Sequence, residues 1–169
     1  MARFAILPLD QPTSTLHAAR TTTAAVASLL VARALKMPEP YWATVTAMVV
    51  MQSTLGAAWK VSATRFAGTA LGAVIGGLLA TYFGASVWVF AIAVFGTGLL
   101  CAPLRLDRTA YRFAGITLAI VVLVARDRPA WIIAFHRFVE VSLGIAVALL
   151  LTAVWPEKQA VTASSAAGA

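Results

Sequence analysis

Glu140 is the one carboxylate set inside an apolar run of this 169-residue sequence; Asp10, Glu39, Asp107, Asp127 and Glu157 stand at the ends of such runs or between them. An acid held in an apolar helix must be paired, take up a proton or line water. Glu140 therefore has two readings: an ion pair with Arg137, three residues earlier on the same helical face, or a proton-coupling group. Arg65 and Arg137 form a second pair of interest. Each opens an apolar run, is followed by Phe, and has a glycine seven residues on: Arg65-Phe66 with Gly72, Arg137-Phe138 with Gly144. A guanidinium can grip a carboxylate through two parallel hydrogen bonds, which suits the path of an organic anion. The alternative is a snorkelling Arg that anchors its helix end among head groups. Gln52, followed by Ser53 and Thr54, is a further path candidate, set against ordinary interhelical hydrogen bonding worth about 0.6 kcal/mol apiece. Cys101, His17 and His136 are too few and too scattered for a metal site. No nucleotide loop or hydrolase motif is present. The sequence thus points to no metal, no cofactor and no enzyme, and excludes ATP-driven pumping by this chain alone.

These residues are carried by helices of a membrane protein. Apolar residues make up 61% of the chain and charged ones 11%, with a mean hydropathy of +0.88. An ordinary soluble domain is about 25% charged, so this chain cannot cover itself with a polar surface, and the lipid bilayer is its first expected partner. The net charge of +7 is spread singly or in pairs between apolar runs, which fits membrane topology and not nucleic-acid binding. An all-α fold of six transmembrane helices is predicted over residues 16–156. A polar leader (1–15) precedes it and a flexible Ala/Ser-rich tail (157–169) follows. The breaks fall at Met37-Pro38-Glu39-Pro40, at a connection over residues 56–64, at Gly84, at Pro103 to Arg108, and at Arg126 to Pro129. The second and fifth runs are short for a 30 Å crossing that takes roughly 20 helical residues. Gly68, Gly72 and Gly76 recur every four residues and give one helix a face for close packing, internally or in an oligomer; Gly144 marks the corresponding place later on.

Leu29-Leu30 and Tyr41 recur as Leu99-Leu100 and Tyr111, and Arg65-Phe66 recurs as Arg137-Phe138, with Glu140 where the first copy has Gly68. Residues 16–84 and 86–155 therefore read as two three-helix repeats, inverted because three is odd, with Arg65 and Arg137 near opposite mouths of a path at the repeat interface. With the N-terminus inside, eight of the 13 Lys and Arg lie on that side, which favours both termini in the cytoplasm.

The pattern Leu35-x-x-Pro38-x-Pro40-Tyr41-Trp42-Ala43-x-x-Thr46-Ala47-x-Val49-Val50-x-Gln52-x-x-Leu55-Gly56, followed by Arg65-x-x-Gly68-Thr69-x-x-Gly72 and Arg137-x-x-Glu140-x-x-x-Gly144, resembles the fusaric acid resistance-like family of aromatic acid exporters. The resemblance covers residues 16–156. It implies a multi-pass protein of the bacterial inner membrane that exports small organic anions, aromatic carboxylic acids in particular. More distantly it implies kinship with the aluminium-activated malate transporters, which are anion channels. Arg65, Gly68, Gly72, Arg137 and Glu140 fall on the family's recurrent positions. A single six-helix unit encloses little room, so a homo-oligomer, a dimer first, is the expected working form; a non-transporting subunit of a larger assembly is the third reading.

Overall fold

The computed structural model describes residues 15–52, 54–124 and 128–155, and these are all-helical: α1 (Thr15–Ala34), α2 (Tyr41–Val50), α3 (Leu55–Phe83), α4 (Val87–Cys101), α5 (Arg108–Leu123) and α6 (Ala130–Val154). The expected leader up to residue 14, the tail from residue 157 and Ser53 lie outside the described residues. Among the described residues there are six helices, of which only α3 and α6 are both long and apolar enough to cross a membrane by length and composition.

Local chemistry sets the helix ends. α1 closes with the Met37 N–H on the Ala32 carbonyl (3.0 Å) and the Lys36 N–H on that of Arg33 (2.9 Å), Lys36 standing at φ 53°. This is the six-to-one and five-to-two pattern of a Schellman ending. α4 closes the same way, Leu106 on Cys101 (3.1 Å) and Arg105 on Ala102 (3.2 Å), with Arg105 at φ 52°. The connection expected over residues 56–64 is helical instead. Thr54 accepts the Ala57 N–H at 3.2 Å as an N-cap, and the Ala-rich stretch after it holds no Pro to stop α3. α2 in turn ends early, at Val50, because Met51 is extended.

Packing follows a two-fold pattern. Exchanging α1 with α4, α2 with α5 and α3 with α6 turns each packed pair of helices into another packed pair. α3 and α6 meet at Phe66 and Phe138, whose ring centroids are 4.9 Å apart. The matched residues differ from those that identity suggests. A Cβ on Gly72 would lie 2.9 Å from Ala114 Cα and 2.9 Å from Thr117 Cβ; one on Gly144 would strike the Ala43 carbonyl and lie 2.7 Å from Thr46 Cβ. Ala43 and Thr46 therefore answer to Ala114 and Thr117, not to the register set by Tyr41 and Tyr111. Identities among apolar residues carry little register information; the small residues at helix contacts carry it. Gly68, Gly72 and Gly76 all face α5, so this face is spent on internal packing.

The distribution of polarity is inverted relative to a soluble protein. Arg20, Thr46, Ser62, Arg65, Arg137 and Glu140 are buried, while Trp88, Val154, Tyr82 and many other large apolar side chains are exposed. The core between the helices is built mostly from Ala and Val. An apolar exterior around a polar interior is what a lipid solvent demands.

Candidate functional site

α2 is only ten residues long, and its buried face of Ala43, Thr46, Ala47 and Val50 lies between α1 and α6 and touches α3. Trp42 and Thr46, one turn apart on this helix, each receive an arginine. From α6, Arg137 places its guanidinium carbon 3.5 Å from the centre of the Trp42 ring. Its Nη1 is 3.5 Å from Glu140 Oε2 and 3.9 Å from Glu39 Oε2. Glu140 Oε1 accepts the Glu39 backbone N–H at 2.9 Å, and Glu39 Oε2 accepts the Trp42 indole N–H at 3.1 Å. The second cation is therefore neutralised within a connected set of four residues.

Arg65, from α3, is held differently. Its Nε and Nη2 both donate to Thr46 Oγ1, at 3.2 and 3.0 Å, and its guanidinium lies 4.7 Å from the centre of the Phe113 ring. It is 6% exposed. Among the described residues no carboxylate lies within 4 Å of it. One turn earlier on α3, the buried Ser62 hydroxyl has no hydrogen-bond partner among the described residues. Other buried helical hydroxyls, those of Thr97 and Thr152, bond back to the carbonyl four residues before them (2.6 and 2.8 Å).

The two arginine cradles are matched copies. Arg65 lies over Phe113 as Arg137 lies over Trp42, and Gly72 meets Ala114 and Thr117 as Gly144 meets Ala43 and Thr46. They differ in their polar partners: Arg65 donates to Thr46, whereas Arg137 faces the carboxylates of Glu140 and Glu39. Where α6 carries Glu140, α3 carries Gly68, packed against the Ala110 carbonyl. One cradle contains its own carboxylate; the other contains none.

Of the predicted site residues, the structure brings Arg65, Arg137 and Glu140 around α2. Both arginines reach the same short helix, one turn apart. Gln52 stands aside. Its carboxamide donates to the Val49 carbonyl at 3.4 Å, and it is its main-chain carbonyl that accepts from the buried Arg20, at 3.5 Å. Thr46, Glu39, Trp42, Phe113 and Arg20 join the interior although sequence reasoning gave them lesser roles. Arg20 had a signal: it is the one charged residue in a run of Ala, Thr, Val, Ser and Leu that continues to Val31. Among the described residues no group of His, Cys, Asp and Glu could hold a metal ion.

A family model described as fusaric acid resistance protein-like matches residues 24–151. The chain is 32% identical over 156 residues to the Escherichia coli K12 protein named uncharacterized transporter YdhK, covering 87% of this chain and 23% of that protein. It is 30% identical over 149 residues to inner membrane protein YeeA of the same organism, covering 84% of this chain and 41% of the relative. The Salmonella typhimurium protein also named YdhK is 30% identical over 149 residues. The chain thus spans about a quarter to two fifths of the length of these relatives. No solved structure matches it.

Proposed function

The chain belongs to the fusaric acid resistance protein-like family, and from that premise we propose that it transports small organic anions across the bacterial inner membrane, binding the carboxylate at Arg65. The observation that carries this reading is the difference between the two cradles. Glu140 beside Arg137 is a carboxylate ion-paired at 3.5 Å, without a hydrogen bond between the paired atoms, to a buried guanidinium that lies over an aromatic ring. Arg65 offers the same ring-backed guanidinium with no acid of its own, next to the unpartnered Ser62 hydroxyl. A carboxylate arriving from outside the chain would complete it, and the neighbouring Phe113 ring suits an aromatic acid. The names of the relatives, a transporter and an inner membrane protein, support transport at the inner membrane and say nothing of the substrate.

The remaining organisation is proposed with it. Six helices, the shorter ones partly inserted or set in a locally thinned layer, form two inverted three-helix repeats whose two-fold exchange relates the cradles. Both termini are cytoplasmic by the charge bias, and the working form is a homodimer. Arg137 and Glu140 act as the internal pair that an incoming proton would break, which makes Glu140 the coupling group of a carrier.

The test is flux of labelled benzoate into liposomes carrying the purified protein. Saturable flux that falls at least tenfold in Arg65→Gln, equivalent to about 1.4 kcal/mol of lost binding, supports the assignment. Flux unchanged by that substitution overturns it. Flux that stops when the proton gradient collapses identifies a coupled carrier; flux indifferent to the gradient identifies a channel.

A further inference from the structure

We propose that the cleft between α4 and the start of α5 binds an anionic phospholipid, its phosphate on Arg108 and an acyl chain along Phe95 and Leu99. The cleft has a volume of about 340 Å³ and is lined by Phe95, Leu99, Cys101, Leu106, Arg108 and Tyr111, within the roughly 300–1,000 Å³ of small-ligand sites. Its floor is made by a close approach: with no side chain at Gly98, the Tyr111 ring lies against α4, its nearest atom 3.4 Å from where a Cβ would stand. α4 buries only Ala93, Thr97 and Cys101 and turns Trp88, Ile92, Phe95 and Leu99 outward. No charged residue occurs from Val87 to Leu104, after which Arg105, Arg108 and Arg112 come within eight positions.

The cleft therefore straddles the junction between a hydrocarbon-facing wall and a basic rim. That is the profile of a lipid with an anionic head. Arg108 and Tyr111 are three residues apart on one helical face; Arg108 supplies the charge of the cleft, while the Tyr111 ring and its hydroxyl lie against Gly98. Among the described residues no carboxylate lies within 4 Å of Arg108. The Asp107 side chain makes no capping hydrogen bond at the α5 start, and Asp107 stands exposed. A guanidinium binds a phosphate through two oxygens at once, and basic pockets between membrane helices suit phosphate head groups.

The experiment is thermal unfolding of the purified chain in mild detergent against added phosphatidylglycerol, phosphatidylcholine and soluble glycerol phosphate. The expected result is a saturable rise in Tm with phosphatidylglycerol alone, with the half-saturating concentration raised at least tenfold in Arg108→Gln. Leu99→Trp, which fills the cleft from its opposite wall, should raise it likewise. Arg33→Gln, which removes an exposed charge at the end of α1, should leave the curve in place. Equal stabilisation by phosphatidylcholine, or an equal loss in Arg33→Gln, overturns the proposal. Glycerol phosphate matching the lipid also overturns it, since the acyl chain then contributes nothing and the site takes phosphate alone.

Discussion

Replacing each matched arginine by methionine should change stability to very different extents. Arg137→Met removes the cation that neutralises Glu140, which is 1% exposed, and leaves that acid buried with only the Glu39 N–H. Breaking a buried pair by removing one partner costs about 3–5 kcal/mol. Arg65→Met removes a cation with no acid beside it among the described residues. The losses are two hydrogen bonds sharing the single Thr46 hydroxyl and one ring contact at 4.7 Å. Those come to about 3–5 kcal/mol, a bond from a charged donor counting for about 1.5–3 and the two sharing one acceptor. Against them stands the penalty of holding an ion out of water, several kcal/mol after relaxation, which methionine of similar length does not incur. Arg65→Met should therefore be within about 1 kcal/mol of the parent or more stable, while benzoate binding is lost. Reversible unfolding in mixed detergent micelles reads the first quantity and isothermal titration the second. If Arg65→Met is destabilised as much as Arg137→Met, then Arg65 is an ordinary structural cation, and the reasoning that leaves its charge for a ligand is wrong.

Three further outcomes are expected. Thr46→Val keeps the packing against Gly144 but removes the acceptor of both Arg65 hydrogen bonds; benzoate affinity measured by titration should fall about tenfold, near 1.4 kcal/mol. Gly144→Ala drives a Cβ into the Ala43 carbonyl and should lower unfolding stability by about 1–3 kcal/mol, whereas Gly96→Ala, which meets nothing within 4 Å, should raise it by up to about 1 kcal/mol through helix propensity. Thr54→Ala removes the N-cap of α3 and should cost about 1 kcal/mol, read as a lower midpoint in the same unfolding assay.

The helical class, the count of six helices and the close-packing role of the Gly68, Gly72 and Gly76 row were legible because they depend on composition and on spacing along a single helix. Glu140 was legible for the same reason, since an acid three residues from an arginine declares its partner. What depends on contacts between helices was not. The Arg65 cradle is built from Thr46 and Phe113, residues on two other helices whose register no local pattern reveals. Glu39 looked like part of a Pro-flanked connection, yet that connection folds over the start of α2 and lays its N–H on Glu140. The stretch over residues 56–64 misled because Gly56 and Lys60 resemble a loop in composition, while the Thr54 cap and the alanines after it decide for helix.

The unequal lengths of the helices bear on the lipids around them. At about 1.5 Å per residue, α4 with 15 residues reaches ~22 Å and α3 with 29 reaches ~44 Å. The exposed Trp59 and Tyr82 on α3 are ~35 Å apart by the same rise, so an axis that keeps both at the surfaces of a 30 Å hydrocarbon layer leans by about 30°. If α4 crosses as well, the same layer thins beside it by several ångströms. The protein would then sit in an uneven annulus, thinner along one flank than the other. Short acyl chains would gather at that flank, and lengthening the chains from 14 to 18 carbons, on the order of a few ångströms of added thickness, would press on α4 before it reached α3 or α6.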